Sequence, residues 1–268
     1  MSESERTIVL VPGYNEPPEH FDIFVKGRNG TKGLRAHNFN CLTFPQQDDR
    51  LRDRIDRFAA FLLEVRALGY PFPVVLIGYS LGGLVVRGFL RAYPHRAHEV
   101  SHVVMIATPN WGIETFVLPH ITQMLRVPDR ALSDMDLTSD FMMWLNGTRG
   151  HWENESDIFK RTWVLDREPW LAPEGVRLLA IMGLIPERGG YNDGMVNADS
   201  VTLGSRIPAH YVIGPHCNHM NIIGHFDPLL LLSKGFLVNS RVWPHTLRAI
   251  LHFAEAQPAP APKGYHRV

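Results

Sequence analysis

The sequence predicts an α/β protein with a mostly parallel central sheet flanked by helices. Short apolar runs, typical of strands buried on both faces, alternate along the chain with amphipathic stretches of helical spacing. Loops rich in Gly, Pro and polar residues follow these runs. Because right-handed crossovers leave the C-terminal ends of parallel strands at one edge, those loops are expected to meet there, where ligands bind in such sheets.

Each predicted strand is an apolar run, and several end at turn-forming residues. The first run ends at Pro12-Gly13, the second at Pro45 and the third at Gly78. The six predicted strands are Thr7–Val11, Phe39–Phe44, Val74–Ile77, Val103–Ala107, Val176–Met182 and Ala209–Ile213.

The predicted core helices have apolar residues three and four positions apart and charged residues on the opposite face. The longest, Asp49–Leu68, carries Arg and Asp on its polar face and ends before Gly69 and two prolines. The core helices are predicted at His20–Lys26, Asp49–Leu68, Leu81–Leu90 and Val242–Ala256.

Residues 110–170 interrupt the alternation of strands and helices. We predict two or three helices there, including Phe116–Val127 and Ser139–Leu145, inserted as a helical cap or lid over the sheet edge. The core then comprises residues 1–109 and 171–256, and the Pro- and Ala-rich residues 257–268 are expected to form a flexible tail. Bulky residues of the insertion are predicted to line an apolar substrate slot, the alternative being that they belong to the core: Trp111, Met124, Met135, Phe141, Met142, Met143, Trp144 and Trp152.

The composition argues against several classes of partner. Of the 268 residues, 45% are hydrophobic, and 27 basic residues balance 27 acidic ones, so no nucleic-acid or anionic-membrane partner is expected. No apolar run is long enough to span a membrane, and the polar N-terminus has no secretory signal. Cys41 and Cys217 are therefore expected to be reduced thiols in a cytoplasmic protein.

A serine occupies the sharp turn between the third predicted strand and the helix after it. Gly78-Tyr79-Ser80-Leu81-Gly82 has the pattern G-x-S-x-G, in which small neighbours allow a strained backbone and the helix N-terminus directs free N–H groups toward the hydroxyl. The segment lacks the Gly-Lys of a phosphate loop and the G-x-G-x-x-G spacing of a dinucleotide site. We therefore predict that Ser80 is a nucleophile.

A nucleophilic serine needs a base within hydrogen-bonding distance and an acid that orients the base. On this type of sheet the order along the chain is serine, acid, histidine. The candidate acid is Asp193, which follows the fifth predicted strand. The alternatives are that Asp193 only forms a turn, or that Asp199 or Asp227 is the acid.

The candidate base is His219, because it lies in the segment that leaves the last predicted strand. His216 and His225 are the alternatives. His216 and His219 have a spacing that also suits a metal pair, but no Cys or carboxylate cluster accompanies them, so neither a metal nor a cofactor is predicted. Backbone N–H groups of Leu81 and Tyr14 are predicted to form an oxyanion hole.

From Ile8 to about Phe253 the motifs resemble those of the α/β-hydrolase superfamily, and more narrowly of bacterial lipases and esterases. The resemblance implies an α/β-hydrolase fold and favours Asp193 and His219 as acid and base. Gly78–Gly83 is similar to the nucleophile elbow, Ala107–Asn110 to the Thr-Pro-His segment and Asp136–Asn146 to the lid region. Asn192–Val196 is similar to the Asn-Asp-Gly-Leu-Val acid motif, and Asn218–Asn221 to the Asn-His-Leu-Asp histidine motif.

Three positions depart from the pattern of those lipases. Pro12-Gly13 replaces the usual His-Gly of the oxyanion loop, and Asn110 replaces the histidine of Thr-Pro-His. The carboxylate that binds structural calcium in some of these lipases corresponds to the neutral Asn221, so no calcium is expected.

The sequence thus predicts a serine hydrolase that cleaves a small-molecule carboxylic ester with an apolar acyl or alcohol part. Ser80, His219 and Asp193 would form and hydrolyse an acyl-enzyme. Thioester, lactone or amide cleavage and acyl transfer are alternatives on the same residues. A non-catalytic binding protein on a hydrolase fold is the alternative from another class.

Overall fold

The computed structural model describes residues 6–14, 16–45, 49–114, 130–153, 162–184, 193, 195–213, 217, 219, 221–223 and 242–255. Its strands are β1 (Arg6–Val11), β2 (Gly27–Arg28), β3 (Thr31–Lys32), β4 (Phe39–Thr43), β5 (Val74–Tyr79), β6 (Val100–Ile106), β7 (Gly150–Glu153), β8 (Thr162–Leu165), β9 (Arg177–Gly183) and β10 (Ala209–Ile213). Its α-helices are α1 (Asp22–Lys26), α2 (Leu51–Ala67), α3 (Leu81–Ala92), α4 (Arg130–Asp134), α5 (Asp140–Asn146), α6 (Ala198–Thr202) and α7 (Trp243–Glu255).

Six strands form one sheet in the order β10-β9-β6-β5-β1-β4, and all five pairings are parallel. This confirms the predicted parallel α/β architecture and each of its six strands. The strand β6 begins at Val100, three residues before the predicted start, because Val100 pairs with β5 and His102 pairs with both β5 and β9. Where a helix was predicted over residues 20–26, a 3-10 turn at Pro18–Phe21 precedes α1.

Both faces of the sheet are buried, as the continuous apolar runs of its strands require. In β1, Val9 and Val11 belong to the hydrophobic cluster that includes α2 and α3, whereas Ile8 and Leu10 belong to the cluster that includes α7. All four side chains have no exposed surface.

The insertion differs from the predicted set of helices. The described part contains α4 and α5, but also the antiparallel hairpin β7–β8, in which Trp152 and Trp163 are directly paired with ring centroids 5.2 Å apart. Cross-strand aromatic pairs of this kind stabilise a hairpin. The predicted helix Phe116–Val127 and the tail 257–268 lie outside the described residues.

The bulky residues of the insertion occupy different environments, some in the hydrophobic core and one against arginine side chains. Met135, Phe141 and Met142 are buried in the same cluster as α2 and α3, so for these three residues the structure supports the alternative that they belong to the core. The ring of Trp144 contacts the guanidinium groups of Arg52 and Arg91, at 4.5 Å and 5.9 Å.

A buried arginine connects the insertion to helix α3. Arg87 of α3 has no exposed surface, and it donates hydrogen bonds to Oδ1 of Asn110 (3.1 Å), Oδ1 of Asn146 (3.1 Å) and the carbonyl of Trp170 (2.7 Å). The amide nitrogen of Asn110 donates to the carbonyl of Val201 (2.7 Å). The amide side chain of Asn110 accepts from the arginine and donates to Val201 at once, so both of its polar atoms are hydrogen-bonded.

Two further expectations from the sequence concern thiols and membranes. Cys41 and Cys217 are both free thiols in the structure. Among the helices that the structure describes, none has the length and apolar character needed to cross a membrane.

Candidate active site

Ser80 lies at the carboxyl edge of the sheet, between the last residue of β5 and the first of α3. Its φ of 52° and ψ of −124° are unusual for a residue with a side chain, and its N–H donates to the carbonyl of Ile106 (2.8 Å). Such a strained conformation persists only where the surrounding structure imposes it, and it is common at functional sites. The side chain is partly exposed.

Close packing around the turn explains two of its glycines. A Cβ added at Gly82 would overlap the carbonyl oxygen of Val11 at the end of β1, and one added at Gly78 would overlap the backbone of Gly83. Helix α3 therefore begins in contact with the neighbouring strand only because these positions lack side chains.

His219 lies close enough to Ser80 for proton transfer. Its Nε2 is 3.0 Å from Oγ of Ser80, and its Nδ1 is 2.8 Å from Oδ2 of Asp193. Because an ionised carboxylate only accepts hydrogen bonds, Nδ1 carries the proton, and Nε2 of the neutral ring can accept from the serine hydroxyl. The three side chains thus form a continuous hydrogen-bonded chain.

A tight turn fixes the carboxylate of Asp193. The amides of Met195 and Val196 donate to its Oδ1 at 3.0 Å and 2.8 Å, and its own N–H donates to the carbonyl of Val196. The Asp193 carbonyl also accepts the N–H of His219 at 3.0 Å. Asp193 is therefore both a turn former and the partner of His219, so the two interpretations of this residue are compatible.

Burial and nearby charges have opposite effects on the pKa of His219, which is only 4% exposed. Burial lowers the pKa of the imidazole, but the carboxylate and hydrogen bond of Asp193, with a further contribution from the charge of Glu16, outweigh it. The net result is a pKa above the usual 6.5. The site therefore favours the imidazolium that forms when the ring accepts a proton.

The loop after β1 reaches the same edge. A Cβ added at Gly13 would lie 3.1 Å from Cβ of Ser80 and 3.0 Å from the ring of Tyr79. Tyr14, the next residue, is partly exposed, and Leu81 is the first residue of α3, where helix N–H groups lack intrahelical acceptors. Leu81 directly follows Ser80 in the chain, and Tyr14 directly follows Gly13, which packs against Ser80. An oxyanion hole formed by their two amides would require both residues to be near the serine in this way.

Sequence reasoning missed two residues of this site. The hydroxyl of Tyr79 donates to the carbonyl of His219 (2.7 Å), and the centroids of the two rings are 5.2 Å apart. Burial, followed by the charges of Glu16 and Asp193, raises the pKa of Tyr79, so its hydroxyl stays protonated. The carboxylate of Glu16 binds the N–H of Gly13 (3.3 Å). Tyr79 occupies a variable position of its motif, and Glu16 lies in a Pro-rich loop, so neither gave a signal.

Asp199 is the one alternative residue that the structure describes, and it does not join this arrangement. Asp199 is exposed in the first turn of α6, and the side chains of His216, His225 and Asp227 lie outside the described residues. Within the described ranges no group of three or more His, Cys, Asp or Glu side chains could hold a metal ion.

A cavity of about 200 Å³ adjoins the turn that holds Asp193. Met195 and Val196, whose amides bind the carboxylate of Asp193, form part of its wall. The rest of the wall comes from the loop after β6, the β7–β8 hairpin and α6, and includes three indole rings and two carboxylates: Trp111, Trp152, Trp163, Glu114 and Asp199.

Comparison with family models matches residues 8–262 to the Alpha/beta hydrolase family. The structure is similar to a mature Bacillus licheniformis lipase (17% identity, 83% of this chain and 88% of that chain, TM-score 0.57) and to a metagenomic carboxyl esterase (18%, 95% and 76%, TM-score 0.58). It is also similar to a Listeria innocua gene product (12%, 95% and 96%, TM-score 0.58). At these identities the similarity shows the fold alone. A search of curated proteins finds no significant match.

The balance of burial and charge at His219 gives a testable expectation. Replacing Asp193 with Asn removes the largest favourable charge and leaves the cost of burial, so the pKa of His219 should fall. An NMR titration of the imidazole, assigned with His219→Gln, measures it. The control Asp199→Asn makes the same charge change at the exposed alternative acid and should leave the titration unchanged. A pKa that responds to Asp199→Asn and not to Asp193→Asn would contradict this account.

Proposed function

Because the chain belongs to the alpha/beta hydrolase family, we propose that it is a serine hydrolase that cleaves carboxylic esters. The observation that carries the proposal is the chain of hydrogen bonds from Ser80 through His219 to the buried carboxylate of Asp193. A hydroxyl alone is a poor nucleophile, and this arrangement supplies the base and the orienting acid that activate it.

In the proposed reaction Oγ of Ser80 attacks the acyl carbon while Nε2 of His219 takes its proton. The carbonyl oxygen becomes an oxyanion, which the amides of Leu81 and Tyr14 would bind. The carbon–oxygen bond to the alcohol then breaks, and His219 returns the proton to the departing alkoxide. Water gives a proton to His219 and attacks the acyl-enzyme, the bond from the acyl carbon to Oγ breaks, and His219 returns the proton to Ser80 as the carboxylic acid leaves. Asp193 holds the imidazole in the required tautomer throughout, and no cofactor takes part.

The cavity beside Asp193 is our candidate for the region that holds the apolar part of the ester. Aromatic walls with a few polar groups are typical of small-molecule sites. The cavity shares Met195 and Val196 with the turn that positions Asp193, which supports its place beside the reacting groups. In this proposal the β7–β8 hairpin acts as part of a cap over the sheet edge.

Hydrolysis of p-nitrophenyl esters of graded chain length tests the proposed activity. Ser80→Ala should lower kcat/KM by a factor on the order of 10⁴, because the acyl-enzyme cannot form. The matched control is Ser101→Ala near the start of β6, where the hydroxyl donates only to the carbonyl of Val74, and it should keep wild-type activity. If wild type and Ser80→Ala are equally inert on every ester, the protein is not an esterase.

The proposed substrate region is tested by comparing two tryptophans of the insertion, both partly exposed. Trp152→Ala removes an indole from the cavity and should raise KM for long-chain esters about tenfold, with little effect on the acetate ester. Trp144→Ala removes an indole that contacts Arg52 and Arg91 instead and should leave both KM values unchanged. Equal effects of the two variants at every chain length would argue against the cavity.

A further inference from the structure

Glu16 is a buried acid that the proposed reaction steps do not use. It lies in the loop between β1 and the 3-10 turn at Pro18–Phe21, and it is only 7% exposed. Its Oε2 accepts the N–H of Gly13 at 3.3 Å, and its Oε1 lies 3.7 Å from Nδ1 of His20. A buried carboxylate is costly unless hydrogen bonds or charges compensate it.

The carboxylate of Glu16 is very close to the nucleophile. A Cβ placed on Gly13 would be 3.1 Å from Oε2 of Glu16 and equally 3.1 Å from Cβ of Ser80. Oε2 of Glu16 and Cβ of Ser80 therefore both lie within contact distance of the same point beside the backbone of Gly13. The hydrogen bond between Gly13 and Glu16 lies within the loop after β1. The same loop would supply the amide of Tyr14 to the oxyanion.

Titratable groups from four elements lie near His219 or near the residues that contact it in the described structure. Asp193 follows β9, Glu16 follows β1, Tyr79 ends β5 and Cys217 follows β10. Burial keeps the tyrosine and the thiol protonated by raising the pKa of each, so the two carboxylates are the acids whose charge raises the pKa of the imidazole.

We propose that Glu16 is a positioning residue of the hydrolase site, an inference that rests on the proposed function. Its carboxylate holds the loop after β1 so that the amide of Tyr14 faces the substrate oxygen, and its negative charge favours the protonated form of His219. The hydrogen bond acts on geometry and the charge acts on protonation. An alanine at position 16 would remove both the hydrogen bond and the charge. A glutamine would remove the charge but keep a hydrogen-bond acceptor, so it separates the two effects.

Glu16→Gln keeps an oxygen that can accept from Gly13 and removes the charge. An ester hydrolase of this type needs the neutral imidazole, so kcat/KM rises with pH through the pKa of His219. Without the charge of Glu16 that pKa falls, and the acid limb of the profile should move to lower pH. The NMR titration of His219, recorded without substrate, should move in the same direction, while kcat on the alkaline plateau stays close to that of wild type.

Glu16→Ala removes the acceptor as well, so the pH profile should move as in Glu16→Gln and the plateau kcat should fall about tenfold or more, with KM little changed. Glu19→Gln, an exposed charge three residues away, is the control and should alter neither the profile nor the plateau. Urea unfolding of each variant records any loss of stability. A merely structural role would lower stability without moving the titration of His219.

The inference is overturned if Glu16→Gln leaves both the NMR titration and the acid limb where they are in wild type, or if the plateau kcat of Glu16→Ala equals that of Glu16→Gln. If wild type hydrolyses no ester, the proposed function fails instead, and the NMR titration of Glu16→Gln still decides whether Glu16 acts on His219.

Discussion

The backbone conformation of Ser80 is the constraint on which the rest of the site depends. With φ at 52°, the chain reverses from β5 into α3 within one residue, at a strain of about 1–3 kcal/mol. The structure maintains it by pressing α3 against the end of β1, where only glycine fits at position 82, and by the hydrogen bond from the Ser80 amide to β6. The hydroxyl and the N-terminus of α3 consequently occupy the same corner of the sheet edge.

Around that corner, hydrogen bonds join buried polar groups of different loops. Asp193 receives two backbone amides and the imidazole, and His219 is held at its backbone by Asp193 and Tyr79. Arg87 plays a comparable part behind the site: burial lowers its pKa to about 9, and carbonyl and amide oxygens of three segments surround it. Because these hydrogen bonds join different segments in a buried environment, each network fixes the relative positions of several loops.

The features that could be predicted from the sequence are those that depend on periodic patterns or on residues adjacent in the chain. Continuous apolar runs fixed the parallel sheet and all six strands, and the glycine-rich turn placed Ser80 between β5 and α3. The hairpin β7–β8 was missed because a short aromatic strand and a helix fragment give the same apolar signal. Glu16 and Tyr79 were missed because their importance arises from contacts between loops of different strands, which neither periodicity nor spacing encodes.

The central claim is that the hydrogen bonds of this site make one alcohol group in the chain an activated nucleophile. Reaction with a fluorophosphonate probe, followed by mass-spectrometric mapping of the modified peptide, measures this without knowledge of the natural substrate. The account predicts a single adduct, on Ser80, that is lost in His219→Gln. An adduct on any other residue, or no adduct on the folded wild-type protein, would contradict it.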